Sequence, residues 1–224
     1  MCAIFGFTSP SLKKEQVLPY FEKTKSRGPD DTRLEPAGSG MLGFHRLAIM
    51  GLHPEGMQPF HRGSDMAVCN GELYGFRPVK KALEAKGYVF ASDSDCEIIL
   101  PLWQEYGTEM FAGLDAEFAM IIYDSASDSL VAARDPIGIR PLFYGYLADG
   151  SIIFASEAKN LAGLCAHVFP FPPGHYYKDG KFVRYTDLTT VTRYSSDDLD
   201  TVTKKIREKL ISAVEKRLDA DAPL

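Results

Sequence analysis

Phe118–Tyr123 is an unbroken apolar run, and it does most to limit what this chain can fold into. A short apolar run bounded by turn residues predicts a strand buried on both faces. It leads through Asp124-Ser125-Ala126-Ser127-Asp128 into a second such run, Leu130–Ala133, which predicts a hairpin. Leu142–Tyr146 and Ile152–Ala155 repeat the pattern across Ala148-Asp149-Gly150. Cys2–Phe7, ended by Thr8-Ser9-Pro10, reads as another buried strand. Gly40–Ile49 reads as a strand passing into a loop, and Met66–Asn70 as a strand ended by a tight turn at Gly71. Many central strands and few long helices predict layered sheets with helices outside.

Two helices frame these strands. Glu15–Ser26 reads as helical, with Pro19 near its first turn and a stop at Arg27-Gly28-Pro29-Asp30-Asp31. After Ser92, Ser94 and Glu97 fit a capping box, and Ile98, Ile99, Leu102, Trp103 and Tyr106 follow a helical stripe. Pro101 inside that stripe predicts a kink. From Thr189 to Asp198 the chain turns polar. Leu199, Val202, Ile206, Leu210, Val214 and Leu218 then mark one face of a charged helix.

A length of 224 residues allows one large domain or two small ones. With 45% hydrophobic and 25% charged residues, wholesale disorder is excluded. The net charge of −5 gives no electrostatic footprint for nucleic acid or an anionic membrane, so neither is an expected partner. No run is long enough to span a bilayer, and the opening Met-Cys-Ala-Ile-Phe-Gly-Phe lacks the basic flank of a secretory signal. A cytoplasmic location is the expectation. Cys2, Cys69, Cys96 and Cys165 are scattered, which argues against a disulfide framework or a zinc site, and the five histidines show no metal spacing.

Cys2 directly follows Met1. Removal of Met1 would leave a thiol and a free α-amine on one residue. That amine, with an ordinary pKa of about 7.7–8.0, could take the thiol proton at neutral pH. A small buried strand residue is the bland alternative for Cys2 alone. Likewise, Arg46 alone reads as a surface arginine, Asn70-Gly71 as a turn, Glu72 as a solvated acid and Asp95 as an acid in a helix first turn.

The ordered set of short motifs changes that weighting. Cys2-Ala3-Ile4-Phe5-Gly6, Arg27-Gly28-Pro29-Asp30, His45-Arg46-Leu47-Ala48-Ile49, Gln58-Pro59, Asn70-Gly71-Glu72-Leu73-Tyr74 and Ser94-Asp95-Cys96-Glu97 occur in that sequence. Ala133-Arg134-Asp135-Pro136-Ile137-Gly138-Ile139-Arg140-Pro141-Leu142 and Ala155-Ser156-Glu157-Ala158-Lys159 follow. Here the chain resembles the class II glutamine amidotransferases, over residues 2 to about 180. The Arg-Gly-Pro-Asp and Asn-Gly-Glu forms point to the glutaminase domain of the asparagine synthetase branch.

The resemblance implies an α+β fold of the N-terminal nucleophile hydrolase type, a four-layer αββα sandwich of two antiparallel sheets. It implies Cys2 as nucleophile towards the glutamine carboxamide, with the Asn70 amide and the Gly71 N–H holding the oxyanion. Arg46 would fork onto the substrate carboxylate, and Glu72 and Asp95 would hold its ammonium. Arg134, Asp135 and Arg140 are expected to order a turn. No metal or cofactor is implied for this chain. ATP and Mg²⁺ would serve a synthetase domain that accepts the ammonia and converts aspartate to asparagine. Its Ser-Gly-Gly-x-Asp-Ser loop is not in this sequence. Residues 1–188 are therefore expected to form the glutaminase domain, and 189–224 a linker and the first helix of a following domain. Removing 195–224 is expected to spare glutamine hydrolysis. A different ammonia acceptor and a non-catalytic regulatory domain are the alternatives, and a homodimer is compatible with the resemblance.

Overall fold

The computed structural model describes residues 1–222. In chain order, β1 (Ala3–Thr8) is followed by α1 (Lys14–Phe21), β2 (Asp31–Ala37), β3 (Gly40–Arg46), β4 (Phe60–Arg62) and β5 (Asp65–Leu73). Then come α2 (Phe76–Ala85), α3 (Ile99–Tyr106), α4 (Met110–Gly113), β6 (Ala116–Asp124) and β7 (Ser129–Arg134). The chain continues with β8 (Phe143–Tyr146), β9 (Ile152–Ala155), β10 (Val168–Pro170), β11 (His175–Lys178), β12 (Lys181–Arg184) and α5 (Leu199–Arg217).

The strands form two six-stranded sheets, in orders β10-β8-β9-β1-β3-β2 and β12-β11-β7-β6-β5-β4, with every strand pair antiparallel. Side chains alternate along each strand, so each sheet feeds two cores. Ile4, Leu42, Phe44, Val68, Ala119, Ile121, Ala132 and Phe154 meet between the sheets. Phe5, Phe7, Met41 and Ile153 point the other way, onto Val17 and Phe21 of α1. Cys69, Phe118, Met120 and Ala133 face α2, α3 and α4 through Phe76, Leu83, Ile99 and Phe111. Three cores in series make four layers, the expected αββα sandwich. Phe118, Ile121 and Phe154 are fully buried, and burying such a side chain contributes roughly 1.5–3 kcal/mol.

Both hairpins appear as expected, β6–β7 and β8–β9. Several details differ. β5 runs straight through Gly71, which is a strand residue and not a turn. A Cβ there would lie 2.6 Å from the Glu117 carbonyl oxygen and 2.9 Å from Phe118 Cα, so the glycine admits a close neighbouring strand. The first helix starts at Lys14, Pro19 lies beyond its first turn, and residues 22–27 continue as a 3-10 helix. Ser94 makes no cap. Glu97 instead accepts the Ala91 and Ser92 N–H groups at 2.7 and 2.8 Å. Residues 95–98 form a 3-10 turn, and α3 begins at Ile99. Pro101 thus sits in the first turn of α3, where no intrahelical N–H is required. No described helix is long and apolar enough to cross a membrane.

The chain past Thr189 is exposed up to the last helix. Asp198 caps α5 by accepting the Thr201 N–H at 2.8 Å, and α5 buries no residue. Leu199, Ile206, Leu210 and Val214 stand in solvent. The end of this segment turns back to the body of the fold: Arg217 stacks 4.6 Å from the Tyr74 ring centre, and Ala220 packs on the helix-side core.

Candidate active site

The two-residue period of the strands assembles the site. Cys2 leads into β1 on the Ile4 side and packs against the core between the sheets. On β3, Arg46 shares the face of Leu42 and Phe44; on β5, Asn70 and Glu72 share the face of Val68. Ala3 lies opposite His45, which sets Cys2 beside the end of β3. Asp95, on the 3-10 turn before α3, reaches the β5 edge, its Oδ2 accepting the Leu73 N–H at 2.7 Å. Cys2, Arg46, Asn70, Gly71, Glu72 and Asp95 all line one cavity of about 40 Å³.

The Cys2 thiol is bracketed by the backbone of Leu47. The Leu47 N–H donates to Sγ at 3.3 Å, and the thiol donates to the Leu47 carbonyl at 3.4 Å. Burial pushes the Cys2 thiol up, while the Leu47 N–H and the nearby amino terminus pull it down. Burial also lowers the amine of Met1. A deprotonated sulfur would keep the Leu47 N–H as a donor.

Two donors stand ready for an anion. Asn70 is buried, and its Nδ2 has no hydrogen-bond partner among the described residues. An unsatisfied buried donor costs about 1–3 kcal/mol, which a ligand oxygen would relieve. Gly71 supplies the second. Opposite it, Phe118 directs both backbone groups to Asp135, at 2.9 Å through its carbonyl and 3.2 Å through its N–H. Gly71 therefore occupies a position where the β5–β6 ladder makes no bond, and its N–H points to the other edge of β5. Its neighbours on that edge are tied, Cys69 N–H to Gln58 Oε1 at 2.6 Å and Leu73 N–H to Asp95. β4 pairs only with residues 65–67, so the strand edge at Gly71 borders the cavity.

Arg46 is buried with its fork aimed by backbone carbonyls: Nη1 donates to His53 at 3.0 Å, and Nη2 to Gly51. One N–H on each Nη and the Nε–H remain for a carboxylate. Across the cavity, Glu72 is pushed up to about 7, first by burial and then by Asp95, with Glu117 adding to it and Arg140 opposing. Burial raises Asp95 as well, against the Leu73 N–H it accepts. Two desolvated carboxyls with raised pKa values would be favoured in their ionised form by a cation placed beside them.

Other residues hold these in place. Arg27 Nε donates to the Cys2 carbonyl at 3.0 Å and its Nη1 pairs with Glu157 at 2.8 Å. Asp30 accepts the Ala48 N–H, Ser156 accepts the Ile4 N–H, and the Gln58 amide bonds both backbone groups of Cys69. Asp135 accepts N–H groups of Phe118, Ile137, Gly138, Ile139 and Arg140, and Arg134 donates to three carbonyls, the ordering of a turn expected for them. Arg140 does more: it pairs with Glu117 at 2.7 Å and lines the cavity. Arg27, Gln58 and Arg140 were visible in the motif set, but nothing local in the sequence gave Arg27 or Gln58 a role or set Arg140 at the cavity. Among the described residues, no group of three or more His, Cys, Asp or Glu could hold a metal ion.

A four-layer sandwich of two antiparallel sheets, with the thiol of residue 2 and the Asn70-Gly71 pair on one cavity, is the N-terminal nucleophile type of amidotransferase fold. Solved structures carry the same fold. A glutamine phosphoribosylpyrophosphate amidotransferase from B. subtilis superposes with TM-score 0.68 at 21% identity, over 83% of this chain and 49% of that one. An allosteric regulatory enzyme of purine biosynthesis does so with TM-score 0.68 at 20% identity, over 86% and 50%. The glutamine amidotransferase domain model matches residues 1–176, and this chain belongs to that family. Among curated relatives, a probable glutamine-hydrolyzing asparagine synthetase of Dictyostelium discoideum is 34% identical over all of this chain and 42% of its own length. The asparagine synthetases of Sandersonia aurantiaca and Zea mays are 36% and 35% identical over 99% of this chain, and 42% and 38% of theirs. The chain thus spans about two-fifths of the length of these relatives.

Proposed function

We propose that this chain hydrolyses glutamine to glutamate and ammonia through a thioester on Cys2. The observation that carries this reading is the convergence of Cys2, Arg46, Asn70, Gly71, Glu72 and Asp95 on one cavity. With Met1 removed, the Cys2 amine takes the thiol proton, and Sγ attacks the carboxamide carbon. Asn70 Nδ2 and the Gly71 N–H receive the oxyanion. The tetrahedral intermediate collapses, the carbon–nitrogen bond breaks, and the amine returns its proton to the departing ammonia. Water then attacks the thioester with the same amine as base, releasing glutamate and restoring the thiol. Arg46 anchors the α-carboxylate, and Glu72 and Asp95 anchor the α-ammonium.

The relatives' names, glutamine-hydrolyzing asparagine synthetases, support a wider role in which the ammonia passes to a synthetase domain that makes asparagine; aspartate as acceptor, with ATP and Mg²⁺, is what the resemblance implies for that domain. Among the described residues no group of three or more His, Cys, Asp or Glu could hold Mg²⁺; in such a protein ATP and Mg²⁺ would serve the synthetase domain. Four free thiols, one of them the nucleophile, suit a reducing compartment and support a cytoplasmic site of action. The test is direct. The Met1-processed chain is incubated with glutamine, and glutamate and ammonia are measured. Equimolar release supports the reading, and no release from a folded, processed chain rejects it.

A further inference from the structure

Two backbone groups of the loop that follows Arg46 are held from the far end of the chain. The Gly51 N–H donates to Asp221 Oδ2 at 2.8 Å. The Ile49 carbonyl accepts the N–H groups of Asp221 at 3.1 Å and Ala222 at 3.0 Å. Gly51 in turn offers its carbonyl to Arg46 Nη2. The loop is closely fitted there: Gly51 has φ +57°, and a Cβ would lie 2.7 Å from the Ser94 nitrogen. At Gly56 a Cβ would lie 2.2 Å from the Gly51 oxygen and 2.7 Å from Arg46 Nη2. The returning segment is anchored independently, by Arg217 on Tyr74, by Lys216 to Asp115 at 2.5 Å, and by Asp219 to Arg77.

We infer that Asp221 is a positioning residue for glutamine: it fixes the Gly51 peptide and, through it, the angle of the Arg46 fork towards the substrate carboxylate. This rests on the glutaminase reading above and adds to it a residue beyond the matched family region, which ends at residue 176. It also revises the expectation that removing 195–224 spares the site. Without Asp221 and Ala222, the Gly51 N–H and the Ile49 carbonyl lose the partners that hold them. Arg46 keeps its charge and its His53 contact, so binding weakens while the chemistry at Cys2 is untouched.

The experiment compares the full processed chain with its Asp221→Ala and Asp221→Asn variants by glutaminase kinetics and by hydrogen exchange over residues 47–53. Asp221→Ala is expected to raise KM for glutamine about five-fold, the size of one ordinary hydrogen bond, with kcat within two-fold. Asparagine keeps an acceptor for the Gly51 N–H, so Asp221→Asn is expected to restore KM to within two-fold. Exchange at Gly51 should quicken in the alanine variant alone. Unchanged KM and unchanged Gly51 exchange in Asp221→Ala would overturn the inference, as would equal losses in both variants. Should the wild-type chain fail to hydrolyse glutamine, the functional reading falls, while the exchange comparison still decides whether Asp221 orders this loop.

Discussion

Glu72 offers a quantitative test of the ammonium site. Its carboxyl is pushed up to about 7, first by burial and then by Asp95 and Glu117. A glutamine ammonium placed beside it favours the ionised form, so binding must expel whatever proton Glu72 carries. With the free-chain value near 7, the ionised fraction falls from about three-quarters at pH 7.5 to about 3% at pH 5.5, and affinity should fall about 25-fold. The sign is fixed: affinity rises towards its full value above pH 7 and is lost as the pH falls through it. The assay is calorimetric titration of glutamine into Cys2→Ala, which cannot turn substrate over. Repeating it at pH 7 in buffers of different ionisation enthalpy should show about half a proton released per glutamine bound. Glu72→Gln should bind more weakly and lose the pH dependence assigned to Glu72. A Kd that changes less than about three-fold over this range, with no proton release, would refute the assignment of Glu72 to the ammonium.

Cys2→Ala should abolish glutamine hydrolysis and Cys2→Ser nearly so, with the fold intact by circular dichroism, because a hydroxyl is far less acidic than a thiol under the same base. Arg46→Lys should raise KM strongly with charge preserved, since an ammonium cannot reproduce two parallel N–H bonds, and steady-state kinetics would reveal this. Asn70→Ala should lower kcat by about 10²–10³, the usual loss for one oxyanion donor, with little change in KM. Asp135→Ala should cost about 3 kcal/mol or more in urea unfolding, because it strips a shared acceptor from a row of backbone N–H groups.

The parts of the fold that were legible in the sequence are those where a strand is buried on both faces. Phe118–Tyr123 and Leu130–Ala133 had no polar positions to confuse the reading, and both became central strands of one sheet. β2 carries no strand signature in the sequence, because Asp31–Ala37 is an edge strand with one buried leucine and a proline, which only an edge tolerates. Asn70-Gly71 has turn chemistry, so the sequence alone predicts a turn at Gly71. Its strand geometry is set by the close approach of β6, a tertiary fact. At Ser94 the local capping pattern lost to a different use of Glu97, whose carboxylate is drawn back to Ala91 and Ser92.

The candidate site divides in the same way. Five of the residues that would touch substrate carry their chemistry in their own side chains and Gly71 in its backbone N–H; all six lie in the ordered motifs and share one cavity. Residues that hold them are defined by contacts distant in sequence. Arg27 acts on Cys2, Gln58 on Cys69 and Asp221 on Gly51, and no local pattern gives any of the three its role.

The central claim is that chemistry occurs on Cys2 as the first residue of the processed chain. It is tested most directly by acid-quenching the chain during glutamine turnover and measuring the mass of its N-terminal peptide. The expected result is a peptide that begins at Cys2, lacks Met1 and carries one glutamyl group on the thiol. A chain that turns over glutamine with Met1 retained, or with the glutamyl group on another residue, would contradict the account.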